Sequence, residues 1–144
     1  MKKLLGIIVL GLLLSGNAYA ADIVLVCKFN YGKHHYDNGN VEKFGDTLGA
    51  IRDDIFKIND SKKTLIEIRT SGEKIVKDVS WSSSVIMWER RFDLNPPMVF
   101  FNKINRFNGV YISRGPTIKN SKSYEAGLRD TLWFYDCSKS KKLF

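Results

Sequence analysis

The adjacent histidines His34-His35, with Asp37 and Glu42 close behind them, are the residues whose types could bind a metal or carry a proton. Imidazole and carboxylate are ordinary zinc ligands, and imidazole titrates near neutrality. Their spacing argues against that use. Neighbours on an extended chain point to opposite sides, whereas metal ligands converge at i, i+2 on a strand or i, i+4 on a helix. Tyr31 to Asn40, with Gly32, Gly39 and two asparagines, reads as an exposed loop, and no metal or cofactor is expected. The chain has 2 histidines, so a general base elsewhere would be a carboxylate. Asp53-Asp54, Glu67 and Glu89 are available, but nothing in their spacing pairs them, and carboxylates on alternating strands ordinarily form a solvated face. No nucleophile elbow, phosphate loop or His-Glu-x-x-His helix occurs. The residues predict no enzyme activity.

Cys27 and Cys137 lack the Cys-x-x-Cys partner or flanking base that would mark a redox thiol. Two cysteines near the ends of an exported chain predict one structural disulfide. Export itself is read from Lys2-Lys3, the apolar run Leu4–Leu14 and the small residues of Ala18-Tyr19-Ala20, a signal peptide over 1–20 cleaved after Ala20. That run is far short of the ~20 residues that span a bilayer, and no second long apolar segment follows, so the mature chain is expected to have no transmembrane segment. Cys27 lies too far past the cut for a lipoprotein anchor. The expected location is periplasmic or secreted.

Residues 21–144 are enough for one domain with one core. Alternation of apolar residues with others dominates them and predicts an all-β fold. Ile23, Leu25, Cys27 and Phe29 share one face of the first strand, and Trp133, Tyr135 and Cys137 share one face of the last, Asp130–Ser138. Both cysteines then point inward. Between these strands lie Asp54–Asn59, Thr64–Arg69, Lys74–Trp81, Val85–Phe92, Met98–Ile104 and Val110–Arg114. Asn59-Asp60-Ser61-Lys62, Ser71-Gly72, Asn95-Pro96-Pro97 and Asn108-Gly109 separate them. The last of these fits either a two-residue primed turn or a longer loop ending in a left-handed Gly109. The expected architecture is an antiparallel meander closing into a small barrel or curled sheet, its first and last strands meeting to remove the open edges and joined by the disulfide. Val41, Phe44, Leu48, Ile51 and Ile55 recur at helical spacing, but Gly45 and Gly49 oppose a helix, so 41–55 is left open between one short helix and strand. Trp88 and Trp133 read as core residues. Trp81, set among serines, fits a surface anchor, a barrel rim or plain burial.

Charge supplies the clearest pointer to function. Residues 21–102 hold twelve Lys/Arg and twelve Asp/Glu, whereas residues 103–144 hold nine against three. The basic end includes Arg106, Arg114, Lys119 and Lys122, with Lys139, Lys141 and Lys142 in a tail after Cys137. Such a patch attracts an anionic surface, a polymer or an acidic protein. Nucleic acid is excluded as a partner by export and by the lack of a stacking-aromatic motif beside the tail.

Ile104-Asn105-Arg106-Phe107-Asn108-Gly109, the late Cys137 and the basic ending closed by Phe144 resemble a loose group of small exported bacterial β proteins. These share an N-terminal strand with Cys, an Ile-[Asp/Asn]-Arg-x-[Thr/Asn]-Gly turn and a terminal Cys strand. The resemblance implies fold and export, and no activity. In architecture the chain is also similar to periplasmic lysozyme-inhibitor barrels, which use a Cys near each end. Their Ser-Gly-x-x-Tyr loop is not matched, since Ser71-Gly72 is followed by Glu73, Lys74 and Ile75.

The sequence thus predicts a non-catalytic binding module for an anionic envelope or extracellular partner. The alternatives are an inhibitor of an envelope hydrolase and a carrier of a small apolar ligand in the barrel interior. Mass spectrometry of exported protein is expected to find a mature chain beginning at Ala21. Full-length chains in the membrane fraction would refute the export reading.

Overall fold

The computed structural model describes residues 22–46, 49 and 51–140. The signal peptide expected over 1–20, Leu48 and the tail residues Lys141 and Lys142 lie outside the described residues. The fold is an all-β half-barrel, a single curled antiparallel sheet. Its strands are β1 (Ile23–Tyr36), β2 (Val41–Phe44), β3 (Asp54–Asn59), β4 (Thr64–Arg69) and β5 (Gly72–Ile75), then β6 (Ser80–Trp81), β7 (Val85–Phe92), β8 (Met98–Asn105), β9 (Val110–Pro116) and β10 (Leu128–Lys139). The helix of the described residues, α1 (Lys122–Glu125), is a single turn capped by Ser121, whose side chain accepts from the Tyr124 N–H.

The sheet order is β5-β4-β3-β1-β10-β9-β8-β7-β6, with β2 paired to the far half of β1. The first and last strands do meet, with Cys27 opposite Cys137 in register and joined by the disulfide. They meet at the centre of the sheet. Their pairing welds β1–β5 to β6–β10, and the open edges expected to vanish remain, at β5 and at β6 with β7. The seam of the half-barrel is crossed by residues 76–79. The expected single strand Lys74–Trp81 breaks there into β5 and β6, and Asp78 takes a left-handed φ of 52°.

Inside the curl the core is filled by rings. Phe56 presents its edge to Trp88 and to Tyr111 at 5.3 and 5.0 Å, Trp88 stacks on Tyr111 at 5.8 Å, and Tyr111 meets Tyr135 at 4.9 Å. Cys27, Leu65, Ile86 and Ile104 complete it. Each aliphatic or aromatic side chain so buried stabilises the fold by roughly 1.5–3 kcal/mol. Trp133 is half-buried on the same inner face, stacked on Phe100 at 5.9 Å, and Trp81 is half-buried against the core beneath the Lys63 ammonium.

Two segments differ from the sequence expectation. Tyr31–Tyr36 is strand, not exposed loop: β1 stays paired to β10 as far as Tyr36 opposite Leu128. The polar residues there find partners. His34 Nδ1 lies 2.9 Å from Thr131 Oγ1 and its ring stacks on Phe44, while His35 on the opposite side approaches Asp130 at 3.4 Å. Gly32 leaves room for the Phe44 ring, which would sit 2.0 Å from any Cβ at that position. The open choice at 41–55 resolves to strand at both ends, β2 and the start of β3, with Gly49 at φ 62° between them. A residue there in the left-handed region interrupts any helix. The Asn108-Gly109 turn takes the longer form. Gly109 has φ 68°, its N–H donates to Asn105 O, and its carbonyl accepts from Cys137 N–H at 2.7 Å.

The clasp closes a loop with a sequence separation of 110. Replacing Cys27 and Cys137 together by Ala is expected to cost up to about 4–5 kcal/mol, because the unfolded chain regains that loop's freedom. Denaturant unfolding measures it. An unchanged midpoint would mean that the β1–β10 ladder alone holds the two halves together.

Candidate functional site

Period-2 alternation places Leu65 and Glu67 on one face of β4, and Ile86, Trp88 and Arg90 on one face of β7. The apolar members of both sets are core, so their charged members are carried inward too. Glu67 is 4% exposed. A carboxylate so desolvated requires close partners, and two guanidinium groups supply them. Arg90 donates to Glu67 Oε1, and Arg69 donates to Glu67 Oε2 at 2.7 Å. The Glu67–Arg90 pair joins the two flanks of the half-barrel across its seam.

Asp54, opposite Cys27 in the β1–β3 register, is close to the same charges. Burial pushes its carboxyl above the usual carboxylate range, and the Arg90 guanidinium pulls it back only in part. Asn102 forms the next polar layer: its Oδ1 accepts from Tyr111 Oη at 2.9 Å and from Ser113 Oγ at 3.0 Å, and its Nδ2 donates to Phe100 O. Burial raises the Tyr111 and Tyr135 phenols above the ordinary tyrosine range. Both rings are thereby neutral across the physiological range. Asn102, Tyr111 and Ser113 thus satisfy one another beneath the groove.

That groove, about 1090 Å³ in volume, opens at the seam. One wall is the free side of β5 and the crossing segment, from Lys74 to Asp78. The other is β7 from Met87 to Arg91, continued by Phe101, Lys103 and Arg114 from the neighbouring strands. Glu67 and Arg90 lie at its base. Ile75 is 65% exposed and Phe101 56% exposed, so large apolar side chains stand open to solvent beside basic ones. Lysine and arginine outnumber carboxylates here by six to three. Two of the three acids have basic partners: Glu67 as above, and Glu89 with Arg91 at 3.4 Å. Among the described residues Lys74, Lys77 and Lys103 have no carboxylate partner. The combination suits a ligand that is both anionic and partly apolar.

The cations singled out from the sequence do not gather in one place. Arg114 stands in the groove wall, ion-paired with Asp130. Lys119 and Lys122 follow beyond β9, in and before α1. Arg106 lies at the opposite end of the sheet and is a structural tie, donating to Asp60 and to Ser82 O. Lys139 ends β10 at that same far end, opposite Leu25. The β9–β10 register, from Val110 opposite Asp136 to Pro116 opposite Asp130, sets the two ends about 20 Å apart. Lys74, Lys77 and Lys103 are not among those cations, and Lys74 belongs to the electrically balanced part of the chain, whose lysines are expected to matter less. A legible signal did exist for the base of the groove: Glu67 and Arg90 each occupy the apolar parity of a strand. Their pairing across 23 residues was not legible.

At the far end, the Asn105–Gly109 turn is held by Asn105 Oδ1, which accepts from the Phe107 and Asn108 N–H groups, and by Arg106. It presents Phe107 to solvent at 82% exposure.

Comparison of the chain with protein-family models, with curated proteins and with solved structures finds no match. The functional reading therefore rests on the residues themselves.

The Asp54 carboxyl yields a pH prediction. Its folded-state value is raised, so the stability it contributes is full below the ordinary carboxylate range and is lost as pH rises through the raised value. Asp54→Asn cannot ionise. The melting temperature of this variant relative to the parent is expected to improve between about pH 3 and about pH 7. An equal difference at both pH values would show that Asp54 pays no desolvation cost in the fold.

Proposed function

We propose that this chain is an exported, non-catalytic binding module whose seam groove takes an anionic partner in the cell envelope or outside the cell. The observation that carries the reading is the surplus of unpartnered lysines around exposed apolar side chains in that groove. Lys103 and Arg114 belong to the basic C-terminal third of the sequence, so its charge bias is expressed partly in the groove wall. The disulfide supports an oxidising compartment, in keeping with the signal-like start of the sequence. No helix of the described residues is long and apolar enough to cross a membrane.

A second reading is favoured by one specific feature. Phe107, an exposed aromatic on a turn fixed by hydrogen bonds, has the form of a preorganised anchor for a partner's cleft, as an inhibitor of an envelope hydrolase would present. An apolar ligand inside the barrel is less well supported, because rings fill the core of the described residues.

The test uses polyglutamate and anionic phospholipid vesicles as probes, with zwitterionic vesicles as the control. Exchanging Lys74, Lys77 and Lys103 together for Gln is expected to weaken binding about tenfold, since exposed charge pairs contribute about 0.2–1 kcal/mol each. Exchanging Lys139, Lys141 and Lys142 should matter less, and raising salt from ~0.1 M to ~1 M should abolish binding as the Debye length falls from ~10 to ~3 Å. Equal losses from both triple variants would reduce the effect to net charge. Failure of the parent protein to bind either anionic probe would remove the reading.

A further inference from the structure

The walls of the groove are strand edges, and one of them has an unused ladder. All of β7 pairs with β8, from Val85 opposite Asn105 to Phe92 opposite Met98. On its other side β7 is covered only by the two residues of β6, Ser80 opposite Met87 and Trp81 opposite Ile86. No described strand pairs with that side from Trp88 to Arg91. The backbone phase is fixed by two bonds. Val85 O accepts from Ser82 N–H on the β6 side, and Ser84 O accepts from Arg106 N–H on the β8 side. In an antiparallel strand both backbone groups of a residue point the same way and alternate along the chain. Glu89 and Arg91, in phase with Val85 and Met87, therefore direct their N–H and C=O groups into the open side.

We propose that this edge is a docking seam for an extended acidic segment of a partner protein, which adds to the half-barrel as a strand alongside Glu89–Arg91. The proposal rests on the reading of the groove as an anion site and names its partner class. A free edge is a template for strand addition. Charge selects what adds. A second copy of the mature chain brings twenty-one Lys/Arg against fifteen Asp/Glu, and its own tail carries Lys141 and Lys142, so both are repelled by a groove already rich in lysine. An acyl chain with an acidic head would meet the charge and the apolar walls but would leave the Glu89 and Arg91 backbone groups unpaired. An extended acidic peptide meets all three. Its backbone completes the ladder, and alternate side chains reach Lys74 and Lys77 on one hand and Met87, Phe101 and Lys103 on the other.

The experiment is calorimetric titration of the protein with a peptide of about six residues, acetyl-Asp-Val-Glu-Val-Asp-Val-amide. Parallel arms use the same peptide N-methylated at alternate residues in each of the two phases, and dodecanoate. The parent peptide is expected to bind and to slow amide exchange at Glu89 and Arg91. N-methylation in one phase should weaken it at least tenfold, since that removes ladder bonds and leaves charge and apolar surface in place. Glu89→Pro, which removes an edge N–H without touching the β8 ladder, should weaken the peptide likewise, whereas Glu89→Ala should not. Equal binding of the peptide and both methylated forms would overturn strand addition. Binding of dodecanoate without the peptide would overturn it too, while leaving the anion-site reading intact. Binding of neither would overturn both.

Discussion

Eleven ladder positions join β1 to β10, and the Cys27–Cys137 bond lies among them at the middle of the sheet. Everything else hangs from this pairing. β1 is long enough to carry β3 on its first half and β2 on its second, with the register shift between Phe29 and Tyr31 separating the two stretches. β10 carries β9, and through it β8 and β7. Within the flanks β3-β4-β5 and β7-β8-β9 are hairpins with short connections, which form locally. Bringing the flanks together requires contacts between chain ends more than one hundred residues apart, whose loop-closure entropy the disulfide removes from the unfolded state.

Placing the first and last strands at the centre moves the seam to the middle of the sequence. The chain crosses from β5 to β6 through residues 76–79, and the sheet is left open where β5 and β7 face one groove. Glu67 and Arg90 hold the flanks together there. A buried ion pair of this kind adds little net stability compared with apolar packing, but removing one partner strands the other charge in the interior. It crosses the seam at the base of the groove beside the contact of Phe56 with Trp88, one carboxylate held by two guanidinium groups.

The same geometry redistributes the basic residues. The charge bias of the last third of the sequence is real, but an antiparallel sheet sends successive hairpin ends to opposite poles. Arg106 and Lys139 fall at one pole, where Arg106 is occupied in bracing the Asn105–Gly109 turn, and Arg114, Lys119 and Lys122 fall toward the other. Lysines from the electrically balanced part of the chain, Lys74 and Lys77, complete the groove instead. Linear charge density thus did not reveal which basic side chains would share a surface.

The sequence by itself determined the elements and their inward faces. Alternation at Ile23–Phe29, Thr64–Arg69, Val85–Phe92 and Trp133–Cys137 is a property of consecutive residues, and a strand that buries one face has to show it. It also determined that two inward cysteines would pair. Only the tertiary structure decided the strand order, the survival of two open edges and the meeting of Glu67 with Arg90. Tyr31–Tyr36 became strand for the same reason, since Thr131, Asp130 and the Phe44 ring supply what a loop would have drawn from water. These outcomes depend on which distant strands share a ladder, and strand pairing is set by backbone groups that are the same at every residue. Local pattern carries a face and a period, but not the identity of the neighbour.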